Sequence, residues 1–160
     1  FFTMPLHPPG ADYTRGLDHD LEQIIILDQL GFREVWLGEH FTSVWENIPA
    51  PDLLIASAIH QTQNIILGTG VNCMPNHNPF LIANRIAQLD HMCHGRFHWG
   101  VGSGGFPGDF DVFGFDPKSG DQRRCGHCAA PHQDIPPSSV GMSAGARAQK
   151  LRVQLWTHLR

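Results

Sequence analysis

Residues 65–105, IILGTGVNCMPNHNPFLIANRIAQLDHMCHGRFHWGVGSGG, hold two apolar runs that fade into glycine, with one helical pattern between them. The helix is well bounded. Asn78 is placed to cap its start, Pro79 suits the first helical position, and Gly95 is placed to end it in a left-handed turn. A strand, a capped helix and a second strand within about 30 residues predict a parallel pair joined by a crossover helix.

The same unit repeats toward the N-terminus. Apolar runs also begin near Phe2 and Val35, again about 30 residues apart. The first gap carries Leu17, Leu21, Ile24, Ile25 and Leu30 at helical spacing before Gly31, and the second opens at Pro51 and continues as DLLIASAIHQ. Alternation of this kind predicts an α/β fold, either an open doubly wound sheet or a (β/α)8 barrel. Every strand ends in small or polar residues: TMP from Thr3, GEH from Gly38, GTGVN from Gly68 and GVGSGG from Gly100. A barrel collects such ends on one face, where its active site lies. The expected fold is therefore a partial (β/α)8 TIM barrel comprising the first four βα units, over residues 1–118.

The pattern changes over residues 119–160. Residues 1–117 contain thirteen acidic and four basic side chains, whereas 118–160 contain two acidic and seven basic. RRCGHCAAPHQDIPPSSVGMSAGARAQK (residues 123–150) is dense in Gly, Ser, Ala and Pro, without a sustained period, and predicts a mostly irregular tail. Leu151, Leu155 and Leu159 recur at helical spacing and predict a short terminal helix. The basic side chains of the tail are scattered without interleaved aromatics, which argues against nucleic acid and for a solvated extension. No apolar run reaches the roughly 18 residues of a membrane span, and FFTMPLHPPG lacks the features of a signal peptide, so the expected compartment is the cytoplasm. The chain opens inside an apolar run, which reads as a clipped first strand.

Several residues invite a chemical reading. GVGSGG resembles a dinucleotide fingerprint, but that motif opens a helix, and Phe106, Pro107 and Gly108 are expected to prevent one here. What remains is a strand end whose bare backbone and Ser103 hydroxyl can approach a flat ring or a phosphate. Tight packing or a turn would demand the same glycines, and the motif does not separate these readings. His40, after Glu39 at the second strand end, is an imidazole aimed at the barrel mouth and suited to proton exchange near neutral pH. His60, His91, His94 and His98 lack metal-ligand spacing and read as structural. CGHC (residues 125–128) has the spacing of a redox dithiol but lacks the strand before it and the helix after it. Cys125, Cys128 and His132 lack a placed fourth zinc ligand, so no metal site is expected. Cys73 and Cys93 read as buried reduced thiols. Asp90 and Arg96 flank a turn at the barrel bottom, where an ion pair or turn hydrogen bonds would serve stability.

EVWLGEHF (residues 34–41), LGTGVNCMPNHNP (67–79), LDHMCHGRFHWGVGSGGFPGDFDVFG (89–114) and HPP (7–9) together resemble the bacterial luciferase-like family of flavin-dependent monooxygenases, in unbroken order to about residue 124. The resemblance implies a TIM barrel that binds reduced FMN, supplied by a flavin reductase, and uses O2 to oxygenate a small organic substrate. It assigns catalysis to His40, in the family's E-H motif, which here continues directly to Phe41. It assigns cofactor contact to Met4, Glu39, His40, Gly70, Val71, Asn72, Gly102, Ser103 and Gly104, with a non-prolyl cis peptide at Gly70–Val71 behind the flavin. Gly102 and Ser103 stand where luciferases carry a reactive cysteine and a basic residue, which favours a non-luminescent member. An F420-dependent oxidoreductase on the same barrel is the closest alternative, and a non-catalytic barrel remnant is another.

A complete member continues into a fourth helix and four further βα units. LRVQLWT resembles the end of that helix, and the foreign character of residues 125–149 reads as a frame disturbance or mis-joined segment. A half barrel leaves strands one and four as open edges, so homo-oligomerisation or aggregation is expected, and the fragment alone is expected to be inactive.

Overall fold

The computed structural model describes residues 1–114 and the strand at 153–155. The element order is β1 (Phe2–Thr3), α1 (Tyr13–Gln29), β2 (Glu34–Leu37), α2 (Pro51–Ala58), β3 (Ile66–Cys73), α3 (Pro79–Met92), β4 (Phe97–Gly102), α4 (Pro107–Phe113) and β5 (Val153–Leu155). All five strands form one parallel sheet in the order β1-β2-β3-β4-β5. CGHC, His132 and nearly all of the tail lie outside the described residues.

The caps behave as their chemistry dictates. Asp12 accepts the N–H groups of Thr14 and Arg15 at the start of α1, and Asn78 accepts those of Phe80 and Leu81 at the start of α3. Gly31 and Gly95 adopt φ of 77° and 80°, the left-handed turns that only glycine enters freely.

One face of the sheet is buried beneath the helices. Val35, Leu37, Ile65 and Leu67 pack against Ile24, Leu27, Ile55, Ile82 and Ile86, all nearly inaccessible to water. Each such side chain contributes about 1.5–3 kcal/mol by burial. The other face carries Trp36, whose ring fills the space that a side chain on Gly68 would need. Glycine at 68 thus lets Trp36 lie across the sheet.

Three expectations are corrected. Pro107 and Gly108 do not prevent a helix: α4 runs over Pro107–Phe113 and ends at Gly114 with φ of 68°, because the first helical position is where proline's missing N–H costs nothing. Residues 153–155 are a strand rather than part of a terminal helix, pairing Trp99, Gly100 and Val101 with Val153, Gln154 and Leu155. The hydrogen-bonding edge of β4 rewards extension there, which leucine spacing does not register. In consequence β4 is not an open edge, whereas β1 has no second neighbour among the described residues.

The bottom of the sheet is tied by two charged side chains. The Arg96 guanidinium donates to the carbonyls of Ile59, Thr62 and Ile65 and to the Thr62 hydroxyl, at 3.0–3.3 Å. Asp28 accepts the N–H groups of Gln63, Asn64 and Ile65 at 2.7–2.9 Å. Arg96 therefore secures the bottom through turn hydrogen bonds. Asp90 contributes its backbone carbonyl to the turn, accepting from Gly95 N–H.

Candidate active site

A cleft of about 640 Å3 opens at the carboxyl ends of β1 to β4. Met4, Glu39, His40, Gly70, Val71, Gly102, Ser103 and Gly104 all border it, joined by Phe2, Cys73, Gly105 and Phe106. Residues from four strand ends thus converge on one space. Asn72 alone among the nominated residues stands apart from the lining; it is fully buried behind the wall.

The wall is shaped by a bulge. Thr69 pairs with Trp99 and Asn72 with Val101, so Gly70 and Val71 together oppose Gly100. The Gly70–Val71 peptide is cis. A side chain on Gly100 would strike the Thr69 carbonyl oxygen, so glycine there accommodates the bulge. Gly38 leaves room for the Met4 thioether, and Gly102 for the Val71 methyl groups. At Gly105, by contrast, nothing lies within 4 Å of where a Cβ would stand. The glycines divide accordingly: most lie against the protein's own atoms, Gly104 included, whose missing Cβ would stand 3.5 Å from the Cys73 side chain, and Gly105 leaves open surface.

His40 follows β2. Its Nε2 lies 3.6 Å from a Glu46 carboxylate oxygen, and its ring meets Phe106 edge to face at 5.3 Å. Its Nδ1 is buried without a hydrogen-bond partner. A buried ring nitrogen without a partner costs free energy. His40 is the imidazole of the lining, and it can donate or accept a proton there.

Glu39 behaves differently from the expectation of cofactor contact. Its side chain is 0% exposed, and both carboxylate oxygens are engaged within the protein. They accept Cys73 N–H at 2.9 Å, Asn72 Nδ2–H at 2.7 Å and the His77 Nε2 at 2.8 and 3.0 Å. Glu39 therefore braces the wall instead of reaching into the space. Burial, followed by the negative charges of Glu39 and Asp109, pushes the Cys73 thiol up to about 12, so it stays protonated and is a poor nucleophile. Cys93 is likewise free and buried, and burial pushes its thiol up to about 11.

Two supporting residues went unnoticed in the sequence. Asp109, in the first turn of α4, accepts the N–H groups of Phe41 and Thr42 and the Thr42 hydroxyl, at 2.7–3.4 Å. It fastens α4, and with it Phe106, onto the loop that carries His40. His77 lies 38 residues from Glu39, and only the fold brings them together. An acid in the first turn after Pro107 was a readable signal for Asp109; none marked His77.

A second cleft, of about 620 Å3, runs along the start of α1 beside His7, Asp12, Arg15 and Asp20. Its buried pair is self-contained: His7 Nε2 lies 2.8 Å from Asp20, and His7 Nδ1 meets Asn47. Burial raises the Asp20 carboxyl, and the His7 hydrogen bond only partly opposes this. The strand-end cleft, with its unpartnered imidazole, is the better site for chemistry. Among the described residues no helix is long and apolar enough to cross a membrane.

Known proteins share this arrangement. 4-Hydroxyprotoasukamycin monooxygenase of Streptomyces nodosus subsp. asukaensis is 48% identical over 123 residues, covering 77% of this chain and 33% of the relative. Limonene 1,2-monooxygenase of Rhodococcus erythropolis is 41% identical over 116 residues, covering 72% of this chain and 30% of the relative. The oxygenating constituent of 3,6-diketocamphane monooxygenase from Pseudomonas putida, a type II Baeyer–Villiger monooxygenase solved in complex with FMN, superposes with a TM-score of 0.71 at 29% identity, over 74% of this chain and 33% of that one. The chain spans about a third of the length of these relatives. The luciferase-like monooxygenase model matches residues 1–124, and the chain belongs to that family, as a partial member.

Proposed function

We propose that this chain is part of a flavin-dependent monooxygenase in which reduced FMN and O2 oxygenate a small, neutral organic substrate. The observation that carries the reading is the convergence of four strand ends on one cleft beside an imidazole with a free nitrogen. The space fits the group. Its volume lies within the usual range for small-molecule sites, and the backbone at Gly105 is unobstructed by side chains. Gly70, Val71 and the 102–105 backbone would hold the ring system, with the Ser103 hydroxyl and neighbouring amides as donors to the phosphate chain. When bound, reduced flavin supplies the electrons for activating O2. His40 would supply the cleft with an imidazole able to hold or move a proton, and Phe106, packed edge to face against it, would keep that imidazole oriented. Phe2, Met4, Val71 and Phe106 give the lining its apolar character, and among the described residues no Lys or Arg borders it, which disfavours an anionic substrate. Both Asn72 and Glu39 act as supports in this reading.

The remaining parts of the reading concern the whole protein: a separate reductase supplies the reduced flavin, the work is done in the cytoplasm, and the open side of β1 associates with further protein. Phe1 and Phe2, 47% and 55% exposed, mark that side.

The test is FMN titration followed by flavin fluorescence, on the chain and on the chain completed with a relative's carboxyl-terminal half. Retention by the completed protein is expected; no binding by either defeats the proposal. Adding reductase and NAD(P)H then distinguishes oxygenation from hydride transfer. Turnover is expected to require O2, and turnover without it would place the protein with F420-type oxidoreductases instead.

A further inference from the structure

The braced carboxylate of Glu39 deserves a role of its own. It lies at 0% exposure at the end of β2, yet the four contacts it makes all reach forward onto β3 and the loop after it. One oxygen holds the Cys73 N–H, the other holds the Asn72 amide, and the His77 Nε2 spans both. Asn72 in turn accepts the Trp99 indole N–H at 3.0 Å, which carries the chain of contacts to β4. Two consecutive residues are thereby held from behind: Cys73, which borders the cleft, and Asn72, which adjoins the cleft-lining Val71.

We infer that His77 is a positioning residue for the flavin cleft: by engaging Glu39 it fixes the 72–73 segment whose front face forms part of the cleft wall. The reason is electrostatic and geometric. A fully buried carboxylate is tolerated only when its lone pairs are filled by good donors. Of the groups contacting Glu39, the Asn72 amide and the Cys73 N–H are neutral, and His77 alone can carry positive charge. Phe41 packs at 6.2 Å against the His77 ring, and the turn over Met74–Asn76 leads directly into it, which limits its freedom to leave. Remove the imidazole, and the carboxylate must draw in water or turn toward it, releasing the backbone of Cys73 and the side chain of Asn72.

The inference rests on the flavin reading for its functional meaning, but its structural claim is measurable without flavin. His77→Ala and His77→Gln are compared with the wild-type chain. Gln keeps a donor in reach of the carboxylate. In the absence of flavin, maleimide labelling assigned by peptide mass spectrometry is expected to accelerate at Cys73 by at least about fivefold in H77A, to stay near wild type in H77Q, and to be unchanged at Cys93 in both. In the completed protein, H77A is expected to weaken FMN binding about tenfold and to alter the visible circular dichroism of bound flavin, with H77Q restoring both. Unchanged Cys73 labelling in folded H77A overturns the inference, as does equal acceleration at Cys93, which would signal general loosening. If H77A does not fold, Glu39→Gln takes its place, since it turns an amide N–H toward the donors; unchanged Cys73 labelling in E39Q overturns the inference equally. Failure of wild-type protein to bind FMN defeats the flavin reading alone, and the labelling result still judges the brace.

Discussion

The two ends of the sheet use one device for different purposes. At the bottom, Asp28 and Arg96 are saturated by the backbone of the turns between α2 and β3, leaving a closed, polar knot. At the top, Glu39 is saturated by the end of β3 and by His77 beyond it, and Asp109 by the loop after β2. Both ends therefore fix irregular backbone with a charged side chain, half-buried at the bottom and buried at the top, because a carboxylate or guanidinium satisfies several peptide groups at once. The difference lies in what is left over. The bottom encloses its own groups, while the top surrounds a cleft and leaves one imidazole nitrogen unpartnered. A stability device becomes a site when it holds open space and an unspent hydrogen-bonding group.

That contrast can be broken most severely at His40. In the protein completed with a relative's carboxyl-terminal half, His40→Ala is expected to lower turnover by about 10²- to 10⁴-fold, the usual worth of a positioned proton-transfer group. Urea denaturation should show a stability change of no more than about 1 kcal/mol. A comparable loss of stability would mean that His40 is a packing residue and that the two ends are alike.

The converse behaviour is expected at the bottom. Arg96→Ala strands three carbonyls and should lower the unfolding free energy by about 3 kcal/mol, read from the urea midpoint. The FMN affinity of the folded protein should stay within about twofold, since the knot lies at the opposite end from the cleft.

The smallest effect sharpens the comparison through pH. Burial alone would raise the Asp28 carboxyl, but three backbone N–H bonds and the nearby Arg96 outweigh it and hold it below the ordinary carboxylate range. A depressed folded value means that its stabilisation is present above the unfolded carboxylate pKa, near about 4, and fades as pH falls through the folded value. Asp28→Asn should accordingly cost about 1 kcal/mol at neutral pH, and the gap from wild type should narrow on acidification below about pH 4. A gap that widens in acid would reverse the assigned sign.

The sequence made the scaffold legible wherever the determining interactions were local. Asn78, Pro79 and Gly95 bounded α3 correctly because a cap is satisfied within three residues and a left-handed turn within one. The strand ends were legible for a similar reason, since glycine and polar residues interrupt an apolar run visibly. Reading failed where the reward was distant. Phe106 to Gly108 looked like a helix breaker although Pro107 begins α4, and Val153–Leu155 look helical by period yet gain their hydrogen bonds from β4.

The site divides along the same line. Eight of the nominated residues border the cleft because a parallel sheet places all its carboxyl ends together, so position in the strand already implies position at the mouth. Asn72 lies behind the wall, and Glu39, although it borders the cleft, spends its carboxylate on Asn72, Cys73 and His77. The bulge at Gly70–Val71 shifts the alternation of side chains along β3, and no periodicity within a single strand reveals that.

By itself, then, the amino-acid order determined the first four strands and the three helices between them and that the strand ends would meet around one space, because hydrophobic period, caps and parallel pairing are short-range or topological constraints. Only the tertiary structure decided which polar groups would be spent and which would remain. Glu39 met His77 across 38 residues and was consumed in bracing the wall, while His40 kept a free nitrogen at the cleft. Hydrogen bonding is decided by distances of a few ångströms, and those distances exist only after the chain has folded.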